Sequence, residues 1–454
     1  MSPRLIGGEM LLWSDLDGTH GPGPVRGRAL APLLDAVTGR TLVAGPHDPT
    51  LLPGDTTLLL RGLIDAEALA DRFAVLCGGP AKLPAEPPWD TVVALDGLGR
   101  LGSAEDPQLP WGEALEQLLA VLRPGGTLLL GVENFLGLHR LVAMPPAPTD
   151  SDWTPVAAYD QTRPAGLAAV RARLQAAGLT ISRTYATFPS PVTPAALLDT
   201  DLLADPTRRG AVEAMLSSAG TPADDVLADP RRLAIDAVRH GAAADLAPGW
   251  IFVAHRGPAP TPERDYAPAG DRLPAGRTLE DLLLSAALER DLAAMRTLLA
   301  AWQSGPAAGV PAGQVIVTAD RGQVALAKAG TQGTALHAFA VTVLSGGFAH
   351  PWPAPAGPAD LTLILAAMAG VELDPAAIPA QTPRPSRQDL LAERDRLARE
   401  LTQARAKHDF YERTIADRDL ALRRARQINA LLSTTKPARA LLATARWTVR
   451  RIRR

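Results

Sequence analysis

A single cysteine, Cys77, stands in a chain of 454 residues. That excludes an intrachain disulfide and any zinc site built from several cysteines, and it fits a cytoplasmic setting. Aromatic residues make up only 4%. No apolar run reaches the length of a membrane span. The opening MSPRLIGGEMLLWSDLDG lacks the apolar core and cleavage site of a signal peptide. Charge of one sign is also missing: 46 basic and 48 acidic residues leave a formal charge of −2, so nothing overall points to a nucleic-acid partner. What abounds is alanine, proline, glycine, leucine and arginine, a bias with little functional content. The length allows two or three domains.

The most informative stretch runs from Pro88 to Gly137. Thr91-Val92-Val93-Ala94-Leu95 is a continuous apolar run of the kind that forms a parallel strand buried on both faces. It ends at Asp96-Gly97, where an open α/β sheet puts ligand-binding groups, at the carboxyl ends of its strands. From Glu113 to Leu122 the apolar residues Ala114, Leu115, Leu118, Leu119 and Leu122 recur at helical spacing. Pro124-Gly125-Gly126 stops that helix and turns the chain into a second buried strand, Thr127 to Val132.

These residues resemble the second half of a class I S-adenosylmethionine-dependent methyltransferase. In that family D-x-V-V-A-L-D is the fourth strand with its acidic end, and L-R-P-G-G-T-L-L-L is the helix-turn-strand that follows. The continuation Val132-Glu133-Asn134-Phe135-Leu136-Gly137-Leu138 resembles the E-N-x-x-G-L run of methyltransferases found with bacterial surface-polysaccharide genes. Phe188-Pro189-Ser190-Pro191 and Leu198-Asp199-Thr200-Asp201-Leu202-Leu203 are similar to two further signatures of that subgroup. The resemblance implies an α/β fold: a Rossmann-like sheet with helices on both faces, core 41–256, carrying an insertion at 199–246 that shapes a substrate site.

Earlier strands complete the expected sheet. Thr41 to Ala44, Thr56 to Leu60 and Phe73 to Cys77 read as the first three strands, with helices at Arg28 to Val37 and Ile64 to Arg72. Two departures from the family stand out. Its glycine-rich turn is here Ala44-Gly45-Pro46-His47-Asp48-Pro49, with one glycine and two prolines that remove backbone donors. The acid expected after the second strand, which accepts hydrogen bonds from ribose hydroxyls, is replaced by Arg61-Gly62. Asp65 is the next acid, and it also suits the first turn of a helix, where it complements the dipole. Cofactor contact is expected at Gly45, Asp65, Gly78, Asp96 and Gly97. Acceptor handling is expected at Glu133, Asn134 and His139, with His47 also near the cleft. No metal site is expected. Asp15-Leu16-Asp17-Gly18-Thr19 after an apolar run resembles the opening motif of haloacid-dehalogenase-type phosphatases, but the remaining motif residues have no counterpart in a strand-end setting, and a turn-rich loop explains the run equally.

Residues 1–256 thus form one expected domain. A proline-rich linker, Gly257 to Arg264, precedes a smaller, mostly helical α+β domain at 265–378. Its first helix starts at Thr278 with Asp281 three residues on, a capping pattern, and a hairpin turns at Asp320-Arg321-Gly322. Residues 386–434 read as a coiled-coil helix: Leu397, Leu401, Ala404, His408, Tyr411, Ile415, Leu422, Ala425 and Leu432 alternate at three-four spacing, interrupted by Arg418 and Asn429. A homodimer or a partner enzyme would bind there. Residues 436–454 form a basic amphipathic tail with Trp447 and six arginines; an anionic membrane surface at the inner face, a protein partner and a plain tail all remain open.

Two functions follow. The resemblance implies methyl transfer from S-adenosylmethionine to a sugar or glycan-linked acceptor in cell-surface polysaccharide or glycoconjugate biosynthesis. The degenerate turn and missing ribose acid imply instead a catalytically silent scaffold that recruits a glycan-assembly enzyme through its coiled coil.

Overall fold

The computed structural model describes residues 2–19, 21–84, 86–103, 105, 109–143, 160–220, 226–259, 273–345, 357–378, 387–434, 445 and 447. In chain order the first elements are β1 (Arg4–Gly7), α1 (Ala31–Asp35), β2 (Thr41–Ala44), β3 (Thr57–Leu60), α2 (Leu63–Leu69), β4 (Ala74–Gly78), β5 (Trp89–Ala94), α3 (Trp111–Val121) and β6 (Leu122–Glu133). There follow α4 (Leu138–Leu141), α5 (Leu167–Ala176), β7 (Leu179–Phe188), β8 (Ala196–Asp199), α6 (Thr200–Ala204), α7 (Arg209–Ser217), α8 (Pro230–Arg239), α9 (Ala243–Leu246) and β9 (Gly249–Arg256). Downstream lie β10 (Arg277–Thr278), α10 (Leu279–Glu289), α11 (Leu292–Ser304), β11 (Val315–Val317), β12 (Gln323–Ala325), α12 (Gln332–Ser345), α13 (Pro358–Ala369) and α14 (Arg387–Thr434).

Nine strands form one sheet in the order β1-β4-β3-β2-β5-β6-β9-β7-β8. From β1 to β6 all pairs are parallel; β9 runs antiparallel to β6 and β7, and β8 antiparallel to β7. The period-two alternation of a strand explains the two cores. Leu42, Ala44, Val92, Ala94, Leu128 and Leu130 face one side with α3 and α5. Val43, Val93, Leu95 and Leu129 face the other with α1 and α2. After β2 the chain moves outward to β3 and β4, and then returns to β5 on β2's other side. The strand order therefore reverses between β2 and β5, the place where open α/β sheets bind ligands.

The turn at Pro124-Gly125-Gly126 behaves differently from the expectation. The helix ends at Val121, and these residues already belong to β6, whose pairing with β5 begins at Trp89↔Leu122 and shifts register before Thr91↔Thr127. A Cβ on Gly126 would lie 2.9 Å from the Asp90 carbonyl oxygen, so the bulge needs glycine there. The edge strand β1 and the added strand β8 are absent from the sequence reading, because four-residue strands carry little periodicity.

Residues Met1–Pro379 form one compact unit, and Ala380–Arg454 another. The first unit thus continues through the proline-rich 257–264 stretch. The elements from β10 to α13 have their own core around Leu283, Leu299, Trp302, Phe339 and Leu365, and a three-stranded sheet β10-β11-β12. They are stitched to the inserted helices: Arg232 pairs with Glu280, Arg239 with Glu213 and Asp281, and Gln314 Nε2 donates to the Ala214 carbonyl at 2.6 Å. Thr278 caps α10 through Asp281 N, as its sequence pattern predicts. In the second unit α14 is one helix of 48 residues. No described helix is long and apolar enough to cross a membrane. The tail at 436–454 lies outside the described residues, apart from Ala445 and Trp447.

Candidate functional site

The crevice between the carboxyl ends of β2 and β5 is built from the turn after each strand. Gly45 takes φ +88, where glycine is needed, and its N–H donates to the Leu59 carbonyl at 3.0 Å. This swings His47 inward, to 4% exposure. Leu95 N donates to His47 Nε2 at 3.2 Å, which fixes the proton on Nδ1, facing the Gly45 carbonyl at 3.1 Å. The imidazole therefore bridges the two strand ends and fills the space between them. Burial lowers its pKa to about 4, so the ring is neutral.

Asp96 follows β5 and is also buried. Its two oxygens are taken by its own neighbour four residues on: Arg100 Nε donates to Oδ2 at 2.7 Å and Nη2 to Oδ1. Burial outweighs the guanidinium, with a small push from the Asp15 carboxylate, and raises Asp96 to about 6. Arg100 Nη2 also donates to the Gly23 carbonyl at 2.8 Å, while Nη1 is buried with no partner.

The rest of the crevice is covered by the segment between β1 and α1. Met10 N donates to the Arg61 carbonyl and Leu63 N to the Met10 carbonyl. Ser14 Oγ donates to Asp65 Oδ1 at 2.5 Å, and the N–H groups of Asp15 and Leu16 donate to Oδ2 at 2.7 and 3.2 Å. Asp15 in turn receives Arg61 in a bidentate pair, at 2.8 Å from Nε and 2.7 Å from Nη2. Val25 N donates to the Pro46 carbonyl and Asp48 N to the Val25 carbonyl. The chain from Gly8 to Arg26 thus runs over the ends of β3, β5 and β2 in turn.

The five expected cofactor contacts meet this arrangement as follows. Asp65 does lie in the first turn of α2, yet it is 4% exposed and works as a three-bond acceptor for the N-terminal segment rather than as a simple partner of the helix dipole. Gly78 faces β1: a Cβ there would lie 2.3 Å from the Gly7 carbonyl oxygen. Gly97, φ +81, turns the chain beside the Gly131 carbonyl, 3.1 Å from where a Cβ would be. Gly45 backs onto Leu101 and Asp96. Asp65 and Arg100 Nη1 have the chemistry to meet a ribose diol and a carboxylate. As arranged, Asp65 is engaged by the chain's own donors and the His47 ring lies between the two strand ends. The Asp15-Leu16-Asp17-Gly18-Thr19 run is a loop, with Asp17 Oδ1 capping Thr19 N at 2.8 Å. No strand carries Asp15, and among the described residues no acidic and histidine group could hold a metal.

A second group of residues gathers at the carboxyl end of β6. Glu133 Oε1 accepts from Arg140 Nε at 2.8 Å and meets His139 Nε2 at 3.0 Å. These partners overcome the cost of burial and hold its carboxyl down at about 2. An ionised, twice-engaged carboxylate is a weak proton acceptor. His139 Nδ1 is buried without a partner, and a Cβ on Gly137 would lie 2.8 Å from it, so it points at backbone rather than an open site. Asn134 is a stitch: Nδ2 donates to the carbonyls of Asp245 and Ala247 at 2.7 and 2.9 Å, and Oδ1 accepts Leu136 N at 3.0 Å. Both Nδ2 hydrogens are thus used, and only a second lone pair on the buried Oδ1 is left. Sequence reasoning missed the neighbouring feature. Phe135 is 40% exposed and lies under two guanidiniums, Arg140 at 4.5 Å and Arg163 at 3.8 Å from the ring centroid. Arg163 Nη2 is anchored on the Glu133 carbonyl at 2.9 Å. The cavity behind this rim, under Leu138 and Phe188, holds about 10 Å³, room for one water.

No family model matches this chain, and no curated protein does. Solved structures resemble it over about half its length, and those described as S-adenosylmethionine-dependent methyltransferases recur among them. One, from Thermotoga maritima, is 12% identical over 50% of this chain and 86% of its own, with a TM-score of 0.29. Another, from Geobacter sulfurreducens in complex with S-adenosylhomocysteine, is 16% identical over 50% and 87%, with a TM-score of 0.24. A third is a phosphoethanolamine N-methyltransferase of Haemonchus contortus, 13% identical over 51% and 52%, TM-score 0.27. No site residue is carried over from them.

Proposed function

We propose that this chain is a methyltransferase-fold protein in a self-capped state. The reaction proposed is methyl transfer from S-adenosylmethionine to a sugar or glycan-linked acceptor of surface-polysaccharide assembly, with the N-terminal segment standing where the nucleoside enters. The observation that carries this reading is Asp65. Its carboxylate lies just beyond β3, buried, accepting a hydroxyl and two N–H groups from Ser14, Asp15 and Leu16. Those are donors of the kind a ribose diol would offer, so the segment satisfies an acid that stands four residues beyond the position at which the family carries its ribose acceptor. Arg100 Nη1, buried without a partner, adds a donor suited to the cofactor's carboxylate. On the acceptor side, Phe135 with the guanidiniums of Arg140 and Arg163 against its ring supports a sugar bearing a phosphate.

A second reading is the silent scaffold. His47 favours it, since the ring is held by backbone on both nitrogens and wedges the crevice independently of the N-terminal segment.

Calorimetric titration with S-adenosylmethionine and S-adenosylhomocysteine separates the two. The native chain and a Ser14→Ala/Asp15→Ala variant, which loosens the cap, are compared. The expected result is weak or no binding by the native chain, micromolar binding by the variant, and loss of that binding on adding Asp65→Ala. Equal binding by native chain and variant would remove the cap. No binding by any folded form would leave the scaffold.

A further inference from the structure

Along α14, every residue from Glu393 to Leu431 is exposed except Thr414, which is intermediate. Leu390, Leu397, Leu401, Tyr411, Ile415 and Leu422 are all more than half exposed. They fall on one seam. With Leu401 as position a, the a sites from Leu390 onward are Arg394, Leu401, His408, Ile415, Leu422 and Asn429, and the d sites are Leu390, Leu397, Ala404, Tyr411, Arg418 and Ala425, so Arg394 and Arg418 are the two charged interruptions of the seam. A helix of 48 residues spans roughly 70 Å. Helices of this kind owe their stability to an apolar face that is packed, so a seam this long asks for a partner.

The flanking charges say which partner. In a parallel two-stranded coil, each g residue meets the e residue five positions on in the other strand. Here Glu400 meets Arg405, Lys407 meets Glu412, Glu393 meets Ala398, Thr414 meets Asp419 and Ala421 meets Arg426. When the second strand is the same sequence in register, two of these contacts are attractive, each made twice by symmetry, and none joins like charges. Asn429 at an a site then faces its own copy across the axis, the arrangement by which a single polar a residue sets register and strand number. We infer that α14 is the dimer interface of this protein, and that its occupant is a second copy of the same helix, parallel and in register. This stands independently of the reaction assigned to the first unit.

The test is sedimentation of the full chain at micromolar concentration, with two charge variants. Glu400→Lys/Lys407→Glu changes only g sites, so that in the parallel pairing its own copies meet Lys with Arg and Glu with Glu. Arg405→Glu/Glu412→Lys changes only e sites and sets like charges together in the same way. Each variant alone should dissociate more readily than the native chain by roughly tenfold or more, while an equimolar mixture restores all four attractive contacts and dimerises. All sites lie on the exposed helix, so circular dichroism should show the folded body intact. A monomeric native chain would overturn the inference and hand the seam to a different protein. A mixture that stays monomeric would overturn it too. Retained self-association by the g-site variant alone would rule out the parallel pairing.

Discussion

The crevice at the ends of β2, β3 and β5 and the rim at the end of β6 lie on the same edge of one sheet, yet they are satisfied in opposite ways. In the crevice, Asp65 and Asp15 find partners about 50 residues away, and Asp96 shares Arg100 with Gly23, 77 residues from it. At the rim, the Glu133 carboxylate takes its partners from within seven residues, while its backbone carbonyl and the neighbouring Asn134 make the longer-range bonds, to Arg163 and to the carbonyls of Asp245 and Ala247. Long-range cover seals the first region and leaves its polar atoms inaccessible. Local pairing leaves the second half-open, with Phe135 at the surface. The edge of an open α/β sheet is thus a place where sites can form, and what covers each strand end decides which of them can meet a ligand.

The largest break in this contrast is expected from Arg61→Ala. It strands the Asp15 carboxylate, 4% exposed, without its bidentate partner. Removing one member of a buried ion pair costs on the order of 3–5 kcal/mol. The urea midpoint should fall accordingly, with faster hydrogen exchange at residues 10–17. A midpoint equal to the native one would mean that the segment is not held by this pair.

Next is the acid response of His47. Its folded pKa is about 4 against an ordinary 6.5. The unfolded chain therefore takes up the proton first, and stability present above pH 6.5 is lost as pH falls toward 4, by at most on the order of 3 kcal/mol. Asp96 acts in the reverse sense: raised to about 6 from 3.8, it holds its proton in the folded chain and costs stability as pH rises through that window. His47→Gln, which keeps an acceptor but cannot titrate, should leave only the Asp96 slope between pH 4 and 6. A pH profile parallel to the native one would show that the imidazole is not shielded.

The smallest effect belongs to the rim. Glu133 is held at about 2 against an ordinary 4.5, so its contribution is present above pH 4.5 and lost as pH falls toward 2. Its side chain is 33% exposed, and screening limits Glu133→Gln to about 1 kcal/mol. A cost as large as that of Arg61→Ala would erase the distinction between the two regions.

Much of the sheet was legible in the sequence because buried parallel strands are written as apolar runs: Thr41 to Ala44, Thr91 to Ala94 and Thr127 to Val132 all lie in strands. The long helix was equally plain, since residues 387–434 contain no proline or glycine. The site was less so. Asp15 looked like part of a phosphatase motif and Arg61 like a missing acid; nothing local says that they pair with each other. Asn134 and Glu133 stood in a recognisable run, but the run's meaning depended on the carbonyls at 245 and 247 and on the side chains of His139 and Arg140.

By itself, then, the sequence determined the elements, because hydrophobic period and glycine or proline breaks act over a few residues. It also determined the heptad charges of α14, which are set by spacing along one helix. Only the tertiary structure decided that His47 wedges the crevice and that Gly8 to Arg26 covers it. Hydrogen bonds and ion pairs between residues some 50 positions apart exist only once the sheet has brought their strand ends together.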